Sequence, residues 1–165
     1  MTEGLDRDRG GSSPMTSYRK ADAPNVPGVP VYGGGGGLLS RLEGRRMYSV
    51  EFVVNDYVQL RFDADELSGP VTLNCYVWPM IESRGRRWRE PDLGYADSLR
   101  SLTPGTVVSA TERNGQGIRI ELDRGAVVLD PTADEVFVEV AELMGPANFG
   151  WVVWRPGEDT FEHLA

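Results

Sequence analysis

The residue types that most often carry out chemistry in proteins are scarce in this chain. His163 is the only histidine and stands near the C-terminus, whereas a catalytic histidine is held by packing and by further hydrogen bonds. Cys75, the only cysteine, is predicted in a strand between Leu73 and Val77, where a thiol acts as a small apolar side chain. We therefore expect no catalytic residue and no enzyme activity.

Acidic side chains near the C-terminus offer oxygen ligands but lack the spacing of a known metal site. Glu158, Asp159 and Glu162 straddle a predicted turn next to His163. We interpret them as a solvated acidic turn and expect neither a metal nor a cofactor. Glu158 and Asp159 are instead candidate contacts for a protein partner.

One basic cluster surrounds an aromatic ring. Its members are Arg84, Arg86, Arg87, Trp88 and Arg89. Arginines beside a stacking aromatic suit phosphate or single-stranded nucleic acid. The cluster is short and Glu82, Glu90 and Asp92 flank it, so a solvated loop is the alternative to a phosphate or protein contact. Nucleic-acid binding is not expected.

Two tryptophans lie close together near the C-terminus. Trp151 and Trp154 fall on opposite faces of a predicted strand, so one is expected inside the fold and the other on its surface. Exposed tryptophan is common at binding hot spots, and we take Trp154 as a candidate contact. The alternative is that the N-terminal tail covers this edge.

The elements that position these residues belong to an average globular chain. It has 165 residues, of which 40% are hydrophobic and 25% charged, which suits one domain. It contains no apolar run long enough to span a membrane and no recognisable secretion signal. A single cysteine excludes an internal disulfide. We expect a cytoplasmic protein.

The first 37 residues differ from the rest. They contain nine glycines and four prolines and end in the run Gly33–Gly37, so they bury too little apolar surface to offset the entropy of ordering. We predict a disordered Gly/Pro-rich tail over residues 1–37 and a single β-rich domain over residues 38–165. A tail that folds on a partner is the alternative.

Negative charge is concentrated in the domain. The whole chain has a formal net charge of −8, which argues against a general nucleic-acid binder. Residues 1–46 carry a net charge of +2, whereas residues 47–165 carry −10. The last stretch, 125–165, has eight acidic residues and only Arg155 as a base.

Apolar residues alternate from Met47 onward, as in strands with one buried face. A three-residue loop over 54–56 then pairs Phe52 with Val58, Val50 with Leu60 and Tyr48 with Phe62. A third strand is predicted from Val71 to Trp78, followed by a polar loop over Ile81–Asp92. Tyr95, Leu99 and Leu102 have the spacing of one short helix.

The second half looks like a loose copy of the first. A strand follows Gly105, and Asn114-Gly115 is a strong hairpin signal. The next turn is predicted to pair Leu122 with Ala126 and Ile120 with Val128. Two loosely repeated three-stranded units favour an antiparallel β-sandwich or a partly open barrel.

The segment 132–145 has features of both a helix and a strand. Thr132 and Glu135 have the spacing of a helix capping box, but the valines at 136, 138 and 140 alternate as in a strand. We favour a strand. The chain is then predicted to end in a hairpin that pairs Trp151–Trp154 with Thr160–Leu164.

The order of these elements resembles a family of small actinobacterial proteins of unknown function, some of which resemble toxin-immunity proteins. The resemblance covers about residues 44–164 and lies in turn and core positions, such as Gly44, Gly105 and Pro156-Gly157. It implies a strand over Phe137–Leu143 and supplies no catalytic residues. The arginine-rich insert is longer than in the family.

Two hypotheses of function follow. The first is a non-enzymatic protein-binding module, immunity-like, whose acidic C-terminal third attracts a basic partner such as a nuclease toxin. The alternative is a small-ligand or phosphate-binding domain that uses the Arg84–Arg89 loop. Neither involves a membrane.

Overall fold

The computed structural model describes residues 37–64, 69–113, 115–146 and 149–158. The strands are β1 Arg46–Phe52, β2 Val58–Phe62, β3 Val71–Cys75, β4 Met80–Ser83, β5 Arg86–Trp88, β6 Gly105–Arg113, β7 Gly117–Leu122, β8 Gly125–Leu129, β9 Ala141–Met144 and β10 Trp151–Trp154. Helix α1 spans Tyr95–Arg100, and 3-10 turns span Leu38–Leu42 and Ala133–Glu135.

All ten described strands belong to one antiparallel sheet, which confirms the mainly-β prediction. Their order is β10-β9-β3-β2-β1-β6-β7-β8-β4-β5, and the described strands at its two ends do not pair with each other, so the sheet is not closed. The predicted short helix is α1, which buries Tyr95 and Leu99. The predicted third strand is β3, but it ends at Cys75 rather than at Trp78.

The two predicted three-stranded units are the runs β1–β2–β3 and β6–β7–β8. They meet through a short pairing of β1 with β6. Each run is extended by a hairpin from the other half of the sequence: β4–β5, which follows β3, pairs with β8, and β9–β10, which follows β8, pairs with β3. We call this arrangement the hairpin exchange.

The core contains the apolar residues from one face of the strands together with those of α1 and the first 3-10 turn. Burying one large aliphatic side chain stabilises the fold by about 2 kcal/mol. The largest fully buried side chains are Phe62, Leu39, Leu42, Met47, Leu60, Leu73, Ile81, Leu99, Leu102, Ile118 and Ile120.

Hairpin β1–β2 has most of the predicted register. The pairs found as predicted are Phe52 with Val58 and Val50 with Leu60. The third predicted pair is wrong, because a β-bulge lets Met47 rather than Tyr48 face Phe62. Met47 is therefore buried and Tyr48 points outward.

Hairpin β7–β8 is shifted by one residue from the predicted register. The prediction paired Leu122 with Ala126 and Ile120 with Val128. In the structure, Leu122 faces Gly125 and Ile120 faces Val127. Every residue from 126 to 129 is apolar, so alternation does not distinguish the two registers.

The prediction of a loop over Ile81–Asp92 is wrong, because β4 and β5 form a hairpin there. Its two-residue turn consists of Arg84 and Gly85, whose φ angles are 54° and 73°. Two successive left-handed residues give the turn the twist that a β-hairpin needs. Ile81 faces Trp88 and supplies the apolar pair of the hairpin.

The segment 132–145 contains a helical turn and a strand. Thr132 and Glu135 form the predicted capping box, but it holds a single 3-10 turn rather than an α-helix. The strand, β9, begins only at Ala141. The strand that the resemblance implied over Phe137–Leu143 is thus shorter, and residues 137–140 are irregular.

Several predictions concern residues outside the described ranges. These are the tail apart from Gly37, Asn114, Asp159, His163 and the strand Thr160–Leu164. Both strands that flank Asn114 are described, and β6 pairs with β7 as predicted.

Candidate interaction surface

The loop between β8 and β9, residues 130–140, carries the most exposed aromatic side chain among the described residues. Phe137 is 88% exposed, and the neighbouring Val138 is 59% exposed. On either side of them the chain turns inward, because Val136 packs against the core and Val140 is buried. The loop therefore presents an apolar pair between two buried anchors.

Hydrogen bonds join the end of this loop to neighbouring segments and fold its start into a local turn. At its end, the Val140 N–H donates to the Trp154 carbonyl oxygen at 2.8 Å, and the Tyr76 N–H donates to the Val140 carbonyl oxygen at 3.0 Å. At its start, the Thr132 N–H donates to the Glu135 carboxylate at 2.8 Å. Phe137 is thus displayed on a fastened segment.

Besides Glu135, three exposed carboxylates lie on the same loop: Asp130, Asp134 and Glu139. Within the described part of the chain, no cation pairs with any of them. Glu135 is different, because the Thr132 N–H and, more weakly, Arg89 lower its pKa below the usual value. We define the Phe137 surface as Phe137 and Val138 together with the three exposed carboxylates.

The structure divides the predicted basic cluster. Three of its arginines line one groove of about 400 Å³ at the β4–β5 hairpin: Arg84, Arg86 and Arg87. The Arg86 guanidinium lies over the Trp88 ring, 3.9 Å from its centroid. Arg89 is separate, because its guanidinium lies 3.8 Å from Glu135 of the β8–β9 loop.

Trp154 is the buried member of the tryptophan pair. It is 8% exposed, whereas Trp151 is 66% exposed. The Trp154 indole N–H donates to the carbonyl oxygen of Glu158 at 3.1 Å, so these two predicted residues meet at the turn after β10. The exposed surface on this strand is that of Trp151.

A row of polar side chains crosses the outer face of the sheet and was missed from the sequence. Its members face one another across four strands: Glu51, Gln59, Asn74 and Glu142. The Gln59 amide donates to Asn74 at 2.8 Å, and the Asn74 amide donates to Glu142 at 2.9 Å. Gln59 and Asn74 are buried although they point away from the core. The feature of the sequence that could have indicated this row is a polar residue at each outward-facing position of β2 and β3.

Glu142 ends this row and accepts hydrogen bonds from three side chains. Burial raises its pKa, but the hydrogen bonds from Trp151, Asn74 and Tyr76 outweigh burial and hold the pKa below its usual value. Burial, together with the same carboxylate, raises the pKa of Tyr76 to about 12. The indole N–H of Trp151 lies 2.6 Å from the Glu142 oxygen, which fixes the orientation of that exposed ring.

The thiol of Cys75 is part of the core and is not available for chemistry. Cys75 is fully buried, and burial raises the pKa of its thiol to about 12, so the thiol is neutral at physiological pH. Across the described ranges, no three histidine, cysteine, aspartate or glutamate side chains are grouped so as to hold a metal ion. Among the same residues, no helix has the length and apolar character needed to cross a membrane.

Comparisons of the chain with protein-family models, with curated proteins and with solved structures find no match. What the protein binds is therefore inferred from its own side chains.

Proposed function

We propose that this protein is a non-enzymatic protein-binding module that captures a basic partner through the Phe137 surface. The exposure of Phe137 on a fastened loop carries the proposal. An aromatic side chain left in water forgoes the free energy of burial, and aromatic anchors ringed by polar groups dominate many protein interfaces. A partner that covers Phe137 would recover that free energy.

The charge around Phe137 supports a basic partner. Asp130, Asp134 and Glu139 add negative charge to the loop that carries the apolar pair, and none of the three has an ion-pair partner among the described residues. Complementary charge accelerates encounter and disfavours acidic competitors. The resemblance to immunity-like proteins supports a nuclease toxin as the kind of basic partner.

The test is capture by the immobilised full chain from a lysate of the organism that carries the gene, followed by mass spectrometry. We expect a basic protein to be retained at low salt and to be released as the NaCl concentration rises from about 0.05 to 0.5 M. With the purified partner, Phe137→Ala should weaken binding at least tenfold, or by about 1.4 kcal/mol.

Leu93→Ala is the matched control, because Leu93 is even more exposed than Phe137 but lies between β5 and α1. This variant should bind the partner as the unaltered chain does. Equal loss in both variants, or unchanged binding in Phe137→Ala, would show that the Phe137 surface is not the interface.

A further inference from the structure

The groove at the β4–β5 hairpin carries more positive than negative charge. Its two carboxylates are already paired: Arg87 lies 3.0 Å from Glu82, and Arg119 lies 2.8 Å from both Glu82 and Glu121. The hydrogen bond from Arg119 is the main reason that the pKa of Glu82 lies below its usual value. Two arginines therefore balance two glutamates beside this groove.

Arg84 and Arg86 remain after this balance. Within the described ranges, no carboxylate pairs with either guanidinium. Asp97, the carboxylate of α1 that lines an adjoining groove with Arg84, already pairs with Arg100 at 3.6 Å. When Arg119 beside the groove is counted, Arg84 and Arg86 are two positive charges without a carboxylate partner, on a protein whose net charge is −8.

The hairpin fixes the backbone of Arg84 and orients the guanidinium of Arg86 without using carboxylates. Arg84 occupies the first position of the tight turn, where its φ of 54° is fixed by the turn geometry. Arg86 lies on the Trp88 ring, and such a contact orients a guanidinium while leaving its charge available to an anion. Trp88 is itself packed against Gly94.

We propose that this groove binds the phosphate group of a small phosphate monoester. A monoester is close to a dianion at neutral pH, which matches the two unbalanced arginines, and guanidinium groups bind phosphate oxygens in pairs of hydrogen bonds. A volume of about 400 Å³ lies in the range of small-molecule sites. A nucleic-acid strand is a poorer match, because the rest of the acidic domain repels a long polyanion.

The test is calorimetric titration of the full chain with phenyl phosphate, with inorganic phosphate and with the monoanionic diester dimethyl phosphate. We expect phenyl phosphate to bind with a Kd of about 1 mM or lower and dimethyl phosphate to bind at least tenfold more weakly. If inorganic phosphate binds as tightly as phenyl phosphate, the proposal of a monoester ligand is wrong and the groove is a site for the free phosphate ion.

Variants that each remove one arginine distinguish binding at the groove from a general effect of the protein's net charge. Arg84→Ala and Arg86→Ala should each weaken phenyl phosphate at least tenfold, while their thermal unfolding stays close to that of the unaltered chain. Arg46→Ala, which removes an arginine that is also exposed but lies on β1, should leave the affinity unchanged. Absence of binding to the unaltered chain, or an equal loss in Arg46→Ala, would refute the site whatever the outcome for Phe137.

Discussion

The Glu142 carboxylate joins donors from both sides of β9. One oxygen accepts the indole N–H of Trp151 on β10, and the other accepts the Asn74 amide on β3 and the Tyr76 hydroxyl just after it. Hydrogen bonds to a charged acceptor are stronger than neutral ones. Side chains therefore reinforce the backbone pairing of β9 with both of its neighbours.

Glu142→Gln should lower the free energy of unfolding by about 1.5–3 kcal/mol at pH 7. The reason is that glutamine replaces one acceptor oxygen with an NH2 group, which cannot accept a hydrogen bond from Trp151, Asn74 or Tyr76. Its remaining oxygen also carries no negative charge. Urea denaturation measures the change. Glu139→Gln serves as the control, because Glu139 is exposed and accepts no hydrogen bond from the described residues. Equal effects of the two changes would argue against a role for this network.

The same carboxylate has a signature in the pH dependence of stability. Its pKa lies below the usual glutamate value in the folded protein, so it stabilises the fold above the unfolded-state pKa of about 4.5. That contribution is lost as the pH falls through the folded-state pKa. The difference in stability between the unaltered chain and Glu142→Gln should therefore narrow below about pH 4.5, and a constant difference would contradict this assignment.

Phe137 could not be placed from the sequence, and the strand that contains Glu142 was predicted too long, for one physical reason. Both lie in the segment 132–145, where the capping box and the alternating valines favour opposite structures. In the fold the capping box holds a single 3-10 turn and the strand begins only at Ala141. Residues 137–140 between them are neither helix nor strand. Cys75, in contrast, lies within regular alternation, and its burial was predicted.

At the scale of elements, local signals located the turns better than the registers. Hairpin β1–β2 was predicted well because polar residues interrupt its apolar ones, whereas the unbroken apolar run of β8 left two registers open. Hairpin β4–β5 was missed because residues 82–87, between Ile81 and Trp88, include no apolar side chain that would show alternation. Its turn is specified by the left-handed pair Arg84-Gly85, which hydrophobic patterning does not reveal.

Two glycines of hairpin β6–β7 allow a matched test of steric demand. Gly115 and Gly117 have nearly equal φ angles of 70° and 68°. A Cβ at 115 would meet nothing within 4 Å, but one at 117 would lie 2.0 Å from the Leu129 carbonyl oxygen. Gly115→Ala should cost about 1 kcal/mol of stability for its backbone conformation, and Gly117→Ala about 3 kcal/mol or more. Equal costs in urea denaturation would show that the contact with β8 relaxes freely.

At the scale of the whole molecule, the two units were predictable but the hairpin exchange was not. Alternation and turns are properties of neighbouring residues, and they located β1–β2–β3 and β6–β7–β8. The pairing of β4 with β8 and of β3 with β9 joins residues far apart in sequence. No local pattern specifies which distant edge a hairpin will join.

The exchange predicts that neither half of the chain folds alone. Fragments 1–92 and 93–165 each lack the hairpin that completes their own three strands, and each carries a hairpin without its partner strand. Far-UV circular dichroism should show no cooperative unfolding for either fragment and recovery of it on mixing them. Cooperative unfolding of fragment 1–92 by itself would contradict the prediction. The control is the full chain cleaved within residues 89–94 after folding, which should remain associated.

The hairpin exchange also sets the order in which a newly made chain can complete its sheet. A ribosome releases β4 and β5 well before β8, the strand with which β4 pairs. The interval between the release of β3 and that of its partner β9 is longer still. During translation at about 5–20 residues per second, the N-terminal half is exposed for several seconds with unpaired strand edges. Such edges invite pairing between nascent chains, so the protein's yield in the cell should depend on chaperones that bind chains as they emerge.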